Sequence, residues 1–194
     1  MLPLYRFSGV GGHGFDGPYD CAMPNLIHRF DTPASVELWQ AINDGVMGGV
    51  SAGQLRFDVL GCAVFEGDVS FENNGGFASV RAPGLALGTA DTVAYVLTVW
   101  GDGHTYKLNL RTDTGFDGVT YQAAFTPAPG RWTQAVLPLL MFEPRFRGRL
   151  VQDAPPLRPE AVKQIGLVIS DRQAGVFRLM VKTIEAVPAF TLAT

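Results

Sequence analysis

The motif in this sequence that most resembles a catalytic site is a serine placed between two glycines, Gly49, Ser51 and Gly53. This G-x-S-x-G spacing is typical of hydrolase nucleophiles, which need a strand before the serine, a helix after it and a histidine as the base. Here a strand-like alternation follows at once, and His104 is the only histidine downstream. We therefore expect the Ser51 hydroxyl to hold a turn together, with a hydrolase triad as the weaker alternative.

A glycine-rich segment near the start, Gly9, Gly11 and Gly14, has the G-x-G-x-x-G spacing of dinucleotide-binding loops. Such loops open a helix whose N-terminus meets the phosphate. Gly17 and Pro18 follow instead, and both residue types break helices. The sequence thus predicts a glycine turn here and no nucleotide cofactor.

The histidines and cysteines show no spacing typical of a metal site. His13, His28 and His104 are far apart, and Cys21 and Cys62 are not spaced as zinc ligands, so we interpret both cysteines as reduced thiols. We expect no metal and no other cofactor. A calcium site on a sheet edge is the alternative, built from acidic residues of the predicted turns: Asp44, Asp68, Glu72, Asp102, Asp113, Asp117 and Asp171.

Polar residues on two neighbouring predicted strands are better candidates for a binding site. Arg111, Asp117, Tyr121 and Gln122 lie on or beside these strands. Together with a tryptophan, polar side chains on one sheet face can line a concave groove for a sugar or another ligand. A solvated sheet face is the alternative. The tryptophans that could take part are Trp39, Trp100 and Trp132.

A basic, aromatic segment over residues 142–149 is a second candidate, with Arg145 and Arg147 as its binding residues. Arginine and aromatic side chains are enriched in binding hot spots. We interpret this segment as a loop that contacts a partner or an anion, with plain solvent exposure as the alternative.

The polar turn from Asn43 to Ser51 is a third candidate. Its glycines allow positive φ or close backbone approach, and the side chains of Asn43 and Asp44 can accept hydrogen bonds from nearby amides. Met47 lies between them and the last glycines. We expect a structural turn, and a ligand contact by Asn43, Asp44 and Met47 is the alternative.

Composition limits the class of protein. The chain has 194 residues, of which 47% are hydrophobic and 17% charged, and its net charge is -3. These values indicate a single globular domain and argue against a nucleic-acid partner, which would need a basic face. The longest apolar runs are about ten residues, too short for a membrane-spanning helix. Since no leader pattern is visible, we expect a cytoplasmic protein.

Hydrophobic periodicity from residue 26 onward is that of strands, with almost no helical pattern. About ten strands without alternating helices favour an all-β antiparallel sandwich or jelly roll. We expect an irregular N-terminal arm over residues 1–29, one domain over 30–194, and a hairpin turn at Asn73 to Gly76. The predicted strands are 26–30, 36–41, 54–59, 62–70, 76–82, 92–100, 105–112, 119–125, 132–137, 163–170 and 176–186, with a helical turn as the alternative for 36–41.

Several separated motifs resemble the complex I intermediate-associated protein 30 family, and they occur in the same order as in that family. They run from about residue 30 to residue 186. The residues that carry the resemblance are Trp39, Asn43 to Ser51 and Gly53; Phe65 to Gly67 and Ser70; Asn73 to Phe77, Ser79 and Arg81; Arg111, Phe116 to Gly118 and Tyr121; Ile165, Gly166, Ser170 and Asp171; and Gly175 to Leu179.

This resemblance implies a galactose-binding-like jelly roll, related in architecture to carbohydrate-binding modules. Mitochondrial members of the family act as non-catalytic assembly factors for respiratory complex I. The resemblance therefore implies a protein partner, such as an intermediate of a respiratory or other multisubunit complex, and adds Arg81 to the candidate binding residues. We expect a binding protein rather than an enzyme. A carbohydrate or small-ligand module and an enzyme recruited for small-molecule biosynthesis are the alternatives.

Overall fold

The computed structural model describes residues 24–44 and 48–189, which form two antiparallel β-sheets. The helices whose bounds are described are short 3-10 turns, at Pro33–Val36, Glu72–Asn74, Leu139–Met141 and Pro159–Ala161. The strands are β1 (Asn25–Arg29), β2 (Gln40–Ala41), β3 (Ala52–Asp58), β4 (Cys62–Val69), β5 (Ala78–Pro83), β6 (Thr92–Trp100), β7 (Tyr106–Arg111), β8 (Thr120–Phe125), β9 (Trp132–Pro138), β10 (Glu143–Phe146), β11 (Arg149–Leu150), β12 (Gln164–Ile169) and β13 (Gly175–Pro188).

The two sheets have different strand orders. Sheet A runs β3-β4-β13-β6-β9, and β1 also pairs with β13. Sheet B runs β11-β10-β8-β7-β12-β5-β2. Consecutive strands often lie in different sheets, as in a jelly roll, and the predicted all-β sandwich is confirmed.

Alternation along the strands builds the core between the sheets. In β7, Tyr106, Leu108 and Leu110 are fully buried, whereas Lys107 and Asn109 point to the outer face. Sheet A contributes Phe65 and Phe177, whose ring centroids are 4.8 Å apart. Because successive side chains of a strand point to opposite faces, one apolar residue in two is enough to fill this interior.

Two local features of the strand pairing follow from the sequence pattern. β3 and β4 form a hairpin in which Asp58 pairs with Cys62, and Gly61 adopts a φ of 74° in its turn. β6, which has apolar residues on both faces, lies between β13 and β9.

Two predictions were wrong. The segment Asn73 to Gly76 is not a hairpin turn, because β4 belongs to sheet A and β5 to sheet B, and the chain crosses between sheets there. Residues 142–149 are not a simple loop. They form the hairpin of β10 and β11, whose two turn residues, Arg147 and Gly148, have φ of 48° and 78°. Positive φ at both positions is typical of the type I′ turn that joins short hairpins.

The predicted boundary between arm and domain stays a prediction, since residues 1–23 lie outside the described part of the chain. The Gly9 to Gly14 motif and Cys21 lie within these residues. β1, at the end of the proposed arm, is paired with β13. Cys62 is a buried free thiol. No helix of the described residues is long and apolar enough to cross a membrane.

Candidate binding site

Ser51 joins two segments of backbone. Its hydroxyl donates to the Ser70 carbonyl oxygen at 3.1 Å and accepts from the Ser70 amide at 3.0 Å. His104 has different partners: its amide donates to Asp102 at 3.0 Å, and its Nδ1 lies 3.0 Å from Asp102 Oδ2. The geometry therefore assigns Ser51 a structural hydrogen bond and gives it no histidine base.

Asn43 and Asp44 hold the chain that enters β3 against the chain that enters β5. Asn43 donates to the Gly53 carbonyl oxygen at 3.1 Å and accepts from the Ser79 amide at 3.3 Å. Asp44, which is fully buried, accepts from the Ser51 amide at 3.0 Å and the Gly76 amide at 2.8 Å. Both side chains are thus occupied by backbone partners. Gly45 and Met47, of the same turn, lie outside the described residues.

Hydrogen bonding decides the charge state of Asp44. Burial acts to raise the pKa of this carboxyl group, but hydrogen bonds from Ser51, Gly76 and Phe77 outweigh it and hold the pKa below its ordinary value. Asp44 is therefore ionised at neutral pH, with amide N–H groups in place of water.

Arg111 anchors the loop between β7 and β8. Although it points to the outer face of sheet B, it is only 4% exposed, because residues 112–118 fold over it. Its guanidinium donates to the Phe116 carbonyl oxygen and to Asp113 Oδ1, both at 2.8 Å. Gln164 supports the same loop through the carbonyl oxygens of Asp113 and Gly115. Arg111 therefore positions a loop and has little surface left for a ligand.

Three other predicted residues surround this loop. The Arg81 guanidinium lies 5.5 Å from the centroid of the Phe116 ring. Asp117 forms an ion pair with Arg147 at 2.5 Å, which joins the loop to the β10–β11 hairpin. The structure thus brings Arg81, Asp117 and Arg147 together around the loop that Arg111 anchors.

Tyr121 and Trp39 face the interior. Tyr121 is 3% exposed, its hydroxyl donates to the Pro155 carbonyl oxygen at 2.6 Å, and burial raises its pKa. Trp39 packs against Phe30 and His28. Neither ring lines a groove. Tyr121 and Gln122 are sequence neighbours and therefore point to opposite faces of the sheet.

Gln122 and Arg145 lie in an open groove of about 510 Å³ on the outer face of sheet B, which we call the sheet B groove. Gln122 stands opposite Asn109 of β7 and Glu143 of β10. Leu140 and Met141 form an apolar wall. The other polar lining residues are Lys107, Glu143 and Asp171.

The charges of the sheet B groove are arranged as two ion pairs. Lys107 contacts Asp171 at 2.7 Å, and Arg145 contacts Glu143 at 2.7 Å. Burial acts to raise the pKa of Asp171, but Lys107 outweighs it and lowers that pKa. The Asn109 Oδ1 atom, next to Gln122, is buried with no described partner. Such a groove can hydrogen-bond a polar ligand, and its lining has no nucleophile paired with a base.

Sequence reasoning missed Lys107, Asn109, Glu143 and the apolar wall. The signal for the first two was present, because Lys107 and Asn109 alternate with buried residues of β7. Glu143 could not be placed, since its strand was taken for a loop. A second open groove, of about 680 Å³, adjoins the first at Asp171 and is lined by Phe71, Phe77 and Arg172.

Candidate metal ligands are not gathered at any point of the described chain, where no group of three or more histidine, cysteine, aspartate or glutamate side chains could hold an ion. Five of the seven acidic residues considered for calcium instead have hydrogen-bond or ion-pair partners in the protein: Asp44, Asp102, Asp113, Asp117 and Asp171.

Comparison with a family of known sequences decides the relationship of this chain. Residues 28–181 match the family described as complex I intermediate-associated protein 30. The chain belongs to the complex I intermediate-associated protein 30 family. This agrees with the resemblance carried by the motifs around Asn43 to Ser51 and Arg111.

Two relatives of this family carry the name complex I intermediate-associated protein 30, mitochondrial. The protein from Neurospora crassa is 24% identical over 86% of this chain and 74% of its own length. The protein from Drosophila melanogaster is 26% identical over 66% of this chain and 50% of its own length. The chain thus spans three quarters of one relative and half of the other.

Solved structures of other proteins share the fold of this chain. A family 11 carbohydrate-binding module of a Clostridium thermocellum cellulase superposes with a TM-score of 0.66 at 12% identity, covering 89% of this chain and 98% of the module. The module in complex with a mixed-linked tetrasaccharide gives 0.64 at 13% identity, covering 87% of this chain and 98% of the module. At such identities the likeness concerns the fold.

Proposed function

We propose that this chain is a non-catalytic binding protein that recognises a protein partner during assembly of a multisubunit complex, such as an intermediate of respiratory complex I. The family match over residues 28–181 carries the proposal. The chemistry of the described residues supports it, because Ser51 is occupied by Ser70 and the sheet B groove offers hydrogen bonds and ion pairs.

The proposal is tested in source cells that lack the gene, by resolving their membrane complexes on native gels. We expect partly assembled complex to accumulate, and the wild-type chain to restore the full complex. Normal levels of every respiratory complex in the deleted cells would contradict an assembly role.

We propose the sheet B groove as the contact surface, with Gln122 and Arg145 as its binding residues. Gln122→Arg adds a charged side chain to the groove floor, so this variant should fail to restore assembly. Gln54→Arg is the matched control, because Gln54 is an exposed strand residue of sheet A. Equal rescue by both variants, at equal melting temperature, would remove the groove from the proposal.

For the remaining predicted residues the geometry favours indirect roles. We infer that Asn43, Asp44 and Arg111 shape the loops beside the groove, and that Arg81, Asp117 and Arg147 contact a partner only where their loop borders it. Trp39 and Tyr121 support the core. A ligand contact by Met47 stays a prediction, since Met47 lies outside the described residues.

Glycan or small-ligand binding is the second candidate. It is favoured by the fold shared with carbohydrate-binding modules and by the unpartnered Asn109 Oδ1 beside Gln122. Calorimetry with a mixed-linked glucan tetrasaccharide and a metabolite panel tests it, with Gln122→Ala as the weakened variant. If the wild-type chain gives no heat of binding, or if Gln122→Ala binds with the same heat as wild type, this groove is rejected as a ligand site. An enzyme recruited from this scaffold would need a deep pocket, whereas both described grooves are open.

The cytoplasmic location expected from the sequence is also kept as a proposal. Both relatives carry mitochondrial names, so fractionation of source cells is the deciding measurement. Recovery of the chain in the mitochondrial fraction would replace the cytoplasmic proposal.

A further inference from the structure

The β9 side of the outer face of sheet A carries several large apolar side chains. Its outward side chains form rows across β13, β6 and β9, because Met180 pairs with Trp100 and Trp100 pairs with Trp132. Two rows further along, Val96 pairs with Val136. We call Trp100, Trp132, Val96, Val136 and Met180 the sheet A face. Antiparallel sheets normally place polar residues on their outer side.

Exposure is concentrated on β9, at the edge of this face. Trp132 is 37% exposed and Val136 is 51% exposed, whereas Val96 on the neighbouring strand is already covered. Thr98 and Gln134 form a polar pair between the two apolar rows. Exposed apolar side chains of this kind mark interaction surfaces. Tryptophan is the residue type most enriched in binding hot spots, and here two of them stand opposite each other.

The backbone of β9 offers a second means of contact. β9 is the last strand of sheet A, and no described strand pairs with its outer edge. Its one proline, Pro138, is its last residue, and residues 132–138 include no lysine or acidic residue. Proteins usually protect long edge strands with such residues, because a free edge accepts a strand from another chain. A strand added there would place alternate side chains beside Trp132 and Val136.

The charges near Trp132 indicate which kind of partner strand would bind beside β9. Lys182 Nζ lies 4.3 Å from the centroid of the Trp132 ring, and Arg131 precedes Trp132 in the chain. Neither cation has a carboxylate partner among the described residues. Of the acids on the outer face of sheet A, Asp58 and Glu66 are paired with Arg56 and Arg178. Glu185 stands opposite Val96, which is four residues from Trp100 and thus roughly 13 Å away. The Trp132 end is therefore positively charged.

We propose that the sheet A face and the free edge of β9 bind an extended segment of a partner protein, with apolar side chains at alternate positions and a carboxylate next to Lys182 and Arg131. A second copy of this chain fits less well, because its own β9 brings no carboxylate to these cations. The surface lies on the sheet opposite the sheet B groove. It would give the protein two separate contact surfaces, and it does not depend on the function proposed for the groove.

A synthetic peptide with alternating valine and threonine between two glutamates is the probe. Calorimetry and tryptophan fluorescence measure its binding to the full chain, and hydrogen exchange reports the β9 amides. We expect binding with protection of those amides. The same peptide with lysines in place of the glutamates should bind at least about tenfold more weakly, since it meets Lys182 and Arg131.

Two variants locate the contact. Trp132→Thr should weaken the glutamate peptide by about tenfold or more, as truncation of a hot-spot tryptophan does. Lys182→Gln should reduce the preference for glutamate over lysine. Leu140→Thr is the matched control, because Leu140 is 99% exposed but belongs to the sheet B groove. Gln122→Arg should also leave peptide binding unchanged.

Several results would overturn the proposal. These are the absence of binding with β9 amides left unprotected, equal affinity for both peptides, and wild-type affinity in Trp132→Thr. A dimer that dissociates in Trp132→Thr would assign the surface to a second copy instead. The melting temperature of each variant separates lost contact from lost folding.

Discussion

At the scale of single residues, Asp44 is a buried carboxylate that connects two distant loops. Its oxygens accept from amides of Ser51 and Gly76, which lie in the segments after β2 and β4. An ionised side chain is stable in such a place only because backbone donors replace water. The polar, glycine-rich turn from Asn43 to Ser51 is thus organised around this carboxylate.

Asp44→Asn should destabilise the protein by about 1 to 3 kcal/mol at neutral pH. The substitution removes the negative charge and replaces one acceptor oxygen with an NH₂ donor, which cannot accept the backbone hydrogen bond. Urea unfolding followed by circular dichroism measures this change. Asp153→Asn, at an exposed position, is the control and should leave the unfolding midpoint unchanged.

The same carboxylate predicts the direction of pH dependence. The pKa of Asp44 is lower in the folded protein than the value of about 3.9 expected when unfolded. Its stabilisation is therefore complete above that value and is lost as the pH falls through the folded pKa. The stability difference between wild type and Asp44→Asn should shrink on acidification. A difference that is constant from pH 7 to pH 3 would contradict this role.

Gly48 and Gly49 tolerate substitution differently, for different physical reasons. Gly48 has a φ of 89° with open space around it, so Gly48→Ala should cost only backbone strain, about 1 kcal/mol. At Gly49 a Cβ would lie 2.4 Å from Asp44 Cγ, so Gly49→Ala must displace the buried carboxylate and should cost more. Thermal unfolding ranks the two. A larger loss in Gly48→Ala would show that backbone angle, and not the space beside Asp44, limits this turn.

At the scale of elements, the loop over residues 112–118 folds around the buried guanidinium of Arg111. Arg111→Ala should loosen this loop, because the Phe116 carbonyl and Asp113 lose their hydrogen bonds to the guanidinium, and only the contacts at the loop's rim, from Gln164, Arg81 and Arg147, remain. We expect faster proteolysis within the loop and a lower melting temperature. Arg149→Ala, an exposed arginine on β11, is the control. Identical cleavage rates in the two variants would show that Arg111 does not hold the loop.

Alternation of apolar and polar residues made most strands predictable. The sheet to which each strand belongs was not predictable. β7 and β6 were recognisable because their apolar residues follow period two or a continuous run. The Asn73 to Gly76 segment looked like a hairpin because local sequence carries no information about which sheet the next strand joins. Similarly, Arg111 resembled a ligand residue, since its burial is caused by residues 112–118 folding back over it. The short β10 was not predicted as a strand, because it contains charged residues and a proline.

At the scale of the whole molecule, the two sheets share a core to which β13 contributes its inward side chains. Leu179 is fully buried, whereas Val176, on the same strand, is 75% exposed. Leu179→Ala should cost about 2 to 5 kcal/mol through lost burial and a cavity, and Val176→Ala within about 0.5 kcal/mol. Chemical unfolding measures both. Equal costs would contradict the inward and outward assignment along β13.

The position of β13 within sheet A also has a consequence for biosynthesis. This strand, the last described one, lies between β4 and β6 and pairs with β1 as well. Neither half of sheet A can join the other before Gly175–Pro188 has left the ribosome, and the early strands wait with unpaired edges. Folding of sheet A is therefore late and dominated by distant contacts, and a nascent chain of this protein should depend on chaperones until β13 is inserted.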